Sequence, residues 1–118
     1  MEKFNIDYDN ESDDLFLYAK EKSKGSVEIG DLILDFDRGG KLVGIEMLNA
    51  TNFLCDCVAD KDKISKEFLS KLVKCEIEVK QKNNFLFIKV NLIGKDVIVP
   101  CPINAPIVTE TSPALAYT

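Results

Sequence analysis

Apolar and polar residues alternate along most of this chain, in short runs separated by turn residues. Phe4-Asn-Ile-Asp-Tyr8 and Leu15-Phe-Leu-Tyr-Ala19 each put every second side chain on one face, which predicts two short strands. Asp9-Asn10-Glu11-Ser12-Asp13 between them is turn chemistry, so residues 4–19 read as an antiparallel hairpin with an acidic loop. Ser26-Val-Glu-Ile29 alternates again, and Gly30-Asp31 bends or bulges the chain. Leu32, Leu34 and Phe36 then face one way while Asp35 and Asp37 face the other, Arg38-Gly39-Gly40 allows a tight turn, and Val43, Ile45 and Met47 return on one face. A register whose paired numbers sum to 77 sets Leu34 against Val43 and Leu32 against Ile45. A slip by one would bury Asp35 against Val43. This hairpin predicts that Leu32, Leu34, Phe36, Val43 and Ile45 become dry together while the acids between them stay wet.

The second half is also mainly strand. Asn49-Ala-Thr-Asn52 is placed to cap a short helical turn through Phe53 and Leu54. Ser65 is an N-cap for a helix over roughly 66–74, with Phe68, Leu69, Leu72 and Val73 as its apolar stripe. Cys75 to Lys80, Phe85 to Ile93 and Asp96 to Val99 form a three-strand meander joined at Lys82-Asn-Asn84 and Gly94-Lys95. The expected fold is α+β and mainly antiparallel β, with hairpins and a meander packed with one short helix. Residues 1–99 are expected to form a single domain and residues 100–118 an extended tail.

That tail holds all four prolines, Pro100, Pro102, Pro106 and Pro113, which exclude regular helix. Ile103, Ile107, Val108, Leu115 and Tyr117 make it too apolar for an inert end, so it lies along its own domain or along a neighbour.

Composition narrows the function. The 118 residues are 46% hydrophobic, enough to build one core. The net charge of −5 argues against coating nucleic acid, which needs Lys and Arg to displace counterions. The charge is divided unevenly: residues 1–60 carry fourteen acids against six bases, and residues 61–118 six acids against nine bases. With no histidine, every His-dependent triad, His metal ligand and imidazole acid–base step is excluded. No phosphate loop or nucleophile elbow is present, Ser70 and Ser23 are not placed for Ser–Lys chemistry, and no catalytic residue is assigned. The polar, acidic amino terminus and the short apolar runs predict a cytoplasmic protein with no membrane span.

Cys55, Cys57, Cys75 and Cys101 read as small, reduced hydrophobes. Cys55-Asp-Cys57 is their one close pair, and without a second knuckle no zinc site is assigned. Asp9 to Lys20 lacks the glycine and terminal acid of a calcium loop. The remaining candidate site is acidic. In the register above Asp31 lies opposite Glu46 with Asp35 two residues along, and repulsion between them is relieved by water, a basic residue, a shared proton or a cation. Asp31, Asp35 and Glu46 are therefore the candidate binding residues, with no cofactor or resident metal assigned.

Tyr8-Asp9, Asp14-Leu15-Phe16, Gly30-Asp31-Leu-Ile-Leu-Asp35-Phe-Asp37, Gly40 and Val43-Gly-Ile-Glu-Met-Leu-Asn-Ala-Thr51 together resemble the small prokaryotic family numbered 2283 among the domains of unknown function. Its pattern has a YD–D–LY opening and a D-x-D, glycine, G-I-E-x-L-x-A-S ending. The resemblance covers about residues 6–52; Phe16 stands where the family has tyrosine and Thr51 where it has serine. It implies a prokaryotic cytosolic protein and, in some members, partnership with small toxin-like proteins. The expected function is a non-enzymatic module that binds a protein partner or itself, with no nucleic acid and no membrane. The alternative is an acid-lined site for a metal or small ligand, with hydrolytic chemistry conceivable.

Overall fold

The computed structural model describes residues 1–106. Eight strands run in chain order as β1 (Glu2–Asp9), β2 (Asp14–Tyr18), β3 (Gly25–Ile29), β4 (Leu32–Phe36), β5 (Leu42–Met47), β6 (Lys74–Lys82), β7 (Phe85–Ile93) and β8 (Ile98–Pro106). Two helices, α1 (Ala50–Cys57) and α2 (Lys66–Ser70), lie between β5 and β6 with a 3-10 turn at Lys61–Lys63. The fold is α+β and mostly antiparallel strand. All eight strands join one curled sheet in the order β3-β4-β5-β2-β1-β6-β7-β8.

β1 holds the two halves together. Its residues Asn5 to Asp9 pair with β2, whereas Glu2 to Phe4 pair with β6. The inward positions of both halves meet in one core that includes Phe4, Leu15, Leu17, Leu34, Ile45, Met47, Leu54, Cys75, Val90, Leu92 and Cys101. The outward rows stay wet or half-buried, as period-two patterning requires, except at Gly44, which is covered.

The β4–β5 hairpin forms, but its register differs from the predicted one. Leu32 pairs with Met47, Ile33 with Glu46, Leu34 with Ile45 and Asp35 with Gly44; a bulge follows, and Phe36 pairs with Leu42. A shift of two residues keeps every side chain on its face, so the apolar pattern could not distinguish the two registers. All five side chains expected to become dry are buried. Val43, however, occupies the bulge, and Leu42 takes its place beside Phe36 in the core row.

The second helix also differs from expectation. Ser65 caps it as predicted, its Oγ accepting from the Phe68 N–H at 3.0 Å. The helix ends at Ser70 rather than near 74, because Lys71 leaves the helical region and the Val73 N–H already donates to the Ile93 carbonyl. Val73, expected on the apolar stripe, is 65% exposed. The turn predicted after Asn49 is the longer helix, α1.

β8 begins at Ile98 and runs past the predicted limit of Val99 to Pro106, paired with β7 over nine residues without a register shift. Pro100, Pro102 and Pro106 share one parity. Proline has no N–H, so an unbroken ladder places these three positions with their nitrogens toward the open edge. Residues 100–106 of the proline-bearing stretch thus lie on their own chain; the rest of it, 107–118, falls outside the described residues. Among the described residues, no helix is long and apolar enough to cross a membrane.

Candidate functional site

The predicted acidic residues occupy the outward face of β1–β5. Reading across the ladders, one row runs Asp7, Phe16, Glu46, Ile33, Glu28, and the next runs Asn5, Tyr18, Gly44, Asp35, Ser26. Asp9 and Asp14 pair at the end of the face. Six carboxylates therefore share it, and none of its outward positions from Asn5 onward carries Lys or Arg. Phe16 and Tyr18 stack at 5.0 Å between centroids and, with Ile33, form a half-buried apolar centre.

Asp35 and Glu46 are brought onto this face, but Asp31 is not opposite Glu46. The observed register gives that place to Ile33, and Asp31 sits in the β3–β4 turn, its carbonyl accepting from the Leu48 N–H at 2.8 Å. Asp14, which the sequence reading left out, is the acid that joins the pair. Burial first, then the charges of Asp14 and Asp35, push the Glu46 carboxyl above its usual range. Asp35 accepts a 2.5 Å hydrogen bond from Ser26 Oγ and lies over Gly44. A Cβ at Gly44 would stand 2.7 Å from the Asp35 Oδ2 and 3.2 Å from its Cβ, so a side chain there would have to displace this carboxylate. Among the described residues no three Cys, Asp or Glu side chains converge as a metal site.

Asp13 has a different role. It is buried at φ 59°, and its carboxylate accepts from Tyr8 Oη at 2.6 Å, Thr51 Oγ1 at 2.6 Å and the Thr51 N–H at 3.1 Å. Asn49, the residue at the N-cap of α1, is left-handed and makes no side-chain cap. Asp13 thus caps α1 from another loop, its charge set against the positive end of the helix. Burial raises the Asp13 pKa, but hydrogen bonds from Thr51 and Tyr8 outweigh it and hold the carboxyl below its usual value. Burial, together with Asp13, raises the Tyr8 phenol.

The outward face of β6–β8 has the opposite character. Its positions are Lys74, Glu76, Glu78, Lys80 and Lys82 on β6, then Phe85, Phe87, Lys89, Asn91 and Ile93 on β7, then Ile98, Pro100, Pro102, Asn104 and Pro106 on β8. Phe85 and Phe87 are 46% and 42% exposed, with centroids 6.2 Å apart. A shallow depression of 380 Å³ lies beside them, lined by Lys80, Phe87, Lys89, Pro100, Pro102 and Asn104 among others. Lys74 and Glu76 bridge each other at 3.6 Å, leaving Lys80, Lys82 and Lys89 against Glu78 around the rings. Alternation predicted these strands, but the sequence reading did not single out this face. The signal was there in the phase opposite to the core, where Phe85 and Phe87 coincide with the prolines.

The other openings offer little chemistry. A cleft of 310 Å³ between the two halves is lined by Phe4, Phe36, Leu42, Ile77 and Leu86, with the 3.5 Å Lys41–Glu2 ion pair at its edge. All four cysteines are free, and Cys75 and Cys101 are buried. Burial and then Glu76 push the Cys75 thiol up to about 12, and burial and then Cys57 raise that of Cys101, so both stay protonated.

The family model "Protein of unknown function (DUF2283)" matches residues 5–50, the segment that builds β1–β5 and reaches the first residue of α1. The chain is 36% identical over 99 residues to an uncharacterised protein of Methanocaldococcus jannaschii, an alignment covering 81% of this chain and 85% of that protein. It is 30% identical over 115 residues, 88% of this chain and 87% of the relative, to a Methanosarcina mazei protein named "Putative hypoxanthine phosphoribosyltransferase". No solved structure matches. Both alignments are about twice the length of the family segment and so extend beyond residue 50. The chain belongs to the prokaryotic family of unknown function DUF2283.

Proposed function

We propose that this protein is a non-enzymatic binding module whose working surface is the outward face of β6–β8, and that it recognises an acidic protein surface. One observation carries this reading. Phe85 and Phe87 stand exposed on the sheet face, flanked by rigid prolines and by three lysines. Exposed aromatics with a basic rim resemble the core and rim of a protein interface, where rings supply contact area and the rim supplies steering. The face, rather than the neighbouring edge, is the natural place for contact. The prolines strip N–H donors from the open side of β8, which blunts strand addition there.

An activity like that in the name of the Methanosarcina mazei relative would require a seat for a diphosphate. The sequence has no glycine-rich phosphate loop, and the Asp13 carboxylate already fills the N-terminus of α1. The binding reading is preferred for that reason.

An NMR titration with a synthetic peptide of alternating Glu and Phe tests it. Shift changes are expected in Lys80, Phe85 to Lys89 and Cys101 to Asn104, and they should weaken with added salt. Phe87→Ser or Lys89→Glu should weaken binding at least tenfold. Shifts elsewhere, or undiminished binding by both variants, would refute the proposal.

A further inference from the structure

The occupant of this basic face can be inferred from the other side of the same molecule. The outward face of β1–β5 carries Asp7, Glu28, Asp35 and Glu46 around Phe16, Tyr18 and Ile33; the outward face of β6–β8 carries Lys80, Lys82 and Lys89 around Phe85 and Phe87. Each face is a sheet surface that carries an aromatic pair and an excess of one sign of charge; on β6–β8 the pair lies toward the β6–β7 turn, with Glu78 and the Lys74–Glu76 ion pair beside the lysines. The two signs are opposite. We infer that the β6–β8 face of one copy docks on the acidic β1–β5 face of the next, a head-to-tail association of identical chains. This rests on the binding reading above and names its partner.

The chemistry fits on three counts. Glu46 is raised first by burial and then by the charges of Asp14 and Asp35, and lysines brought over the face offset that second part, where none of the outward positions from Asn5 onward carries Lys or Arg. Ring meets ring, with Phe16 and Tyr18 on one copy facing Phe85 and Phe87 on the next. Like faces repel, so two acidic faces or two basic faces do not pair, and the two-fold alternative is disfavoured. Because the two surfaces are different, the contact is heterologous, and each copy still offers one free face after docking.

The size of the surfaces sets the strength. Three strands about 4.8 Å apart and nine residues long present a footprint on the order of 400 Å². That is about half of what one partner buries in a standard stable interface. The association is accordingly transient, favoured at high protein concentration and dissolved by salt.

Two charge-reversed variants of the full chain test the arrangement, with all substitutions at exposed positions. Asp7→Lys/Glu28→Lys spoils the acidic face, and Lys80→Glu/Lys89→Glu spoils the basic one. By light scattering at submillimolar concentration and low salt, the unaltered protein should exceed the monomer mass increasingly with concentration, and return to monomer in half-molar salt. Each variant alone should remain monomeric. Their equimolar mixture should form a one-to-one dimer and stop there, because the remaining free faces are both spoiled. Circular dichroism confirms that the variants are folded. An unaltered protein that is monomeric throughout, or a mixture no larger than its components, would overturn the head-to-tail contact. If the Glu–Phe peptide still bound at β6–β8 in that case, the binding reading would stand with a different acidic partner. Loss of both signals would remove both.

Discussion

Asp13 caps a helix, anchors a phenol and sits at positive φ, so its replacement has several costs at once. Asp13→Ala removes the acceptor for Thr51 and Tyr8 and is expected to lose about 2–3 kcal/mol in urea unfolding. Asp13→Asn, which tolerates left-handed backbone and keeps one acceptor oxygen, should recover part of it. This network was half legible. Tyr8 and Thr51 stand in the family pattern, and threonine supplies the same hydroxyl as the serine it replaces. Asp13 was hidden among Asp9, Glu11 and Asp14, since nothing in an acid-rich turn says which carboxylate points inward. Glu46 behaves oppositely. Its folded pKa is raised, so the native state prefers it protonated: its contribution is intact below the ordinary glutamate value and is lost as pH rises through the raised one. Glu46→Gln should therefore raise the melting temperature at pH 7, and the gain should vanish below about pH 4. An equal gain at both pH values would assign the effect to something other than charge.

At the scale of elements, Gly44 and Asp35 form one unit across the β4–β5 ladder. Gly44→Ala forces a Cβ to 2.7 Å from one carboxylate oxygen and 3.2 Å from the Asp35 Cβ, and is expected to cost about 1–2 kcal/mol. In an Asp35→Ala background most of that cost should disappear, so a double-mutant cycle measured by denaturant unfolding checks the contact. Strict additivity would mean the two do not touch. Strand positions were readable because alternation is a direct image of a half-buried sheet. The β4–β5 register was not, since a two-residue shift leaves Leu32, Leu34 and Phe36 facing the same core. Only the turn and bulge around Asp37 to Val43 distinguish the two registers. That single difference puts Ile33 rather than Asp31 opposite Glu46 and leaves Asp35 and Glu46 on one face with Asp14 as an unforeseen neighbour.

The whole molecule turns on β1, which is a neighbour of β2 for most of its length and of β6 for its first residues. Phe4 lies in the β6-paired segment, buried and packed into the common core. Phe4→Ala is expected to cost about 3–5 kcal/mol, and probes placed in either half should report one coincident unfolding transition. Two separate transitions would show halves that stand alone. The charge asymmetry of the chain was visible in its composition, but its arrangement as two opposed faces required the sheet order, which brings Glu2 beside Ile77. The same pairing has a consequence during synthesis. β1 is made before every other strand of this sheet, yet it finds its partner β6 only after some seventy further residues have been made. The nascent protein must therefore hold an incomplete core open, and its commitment to fold comes late.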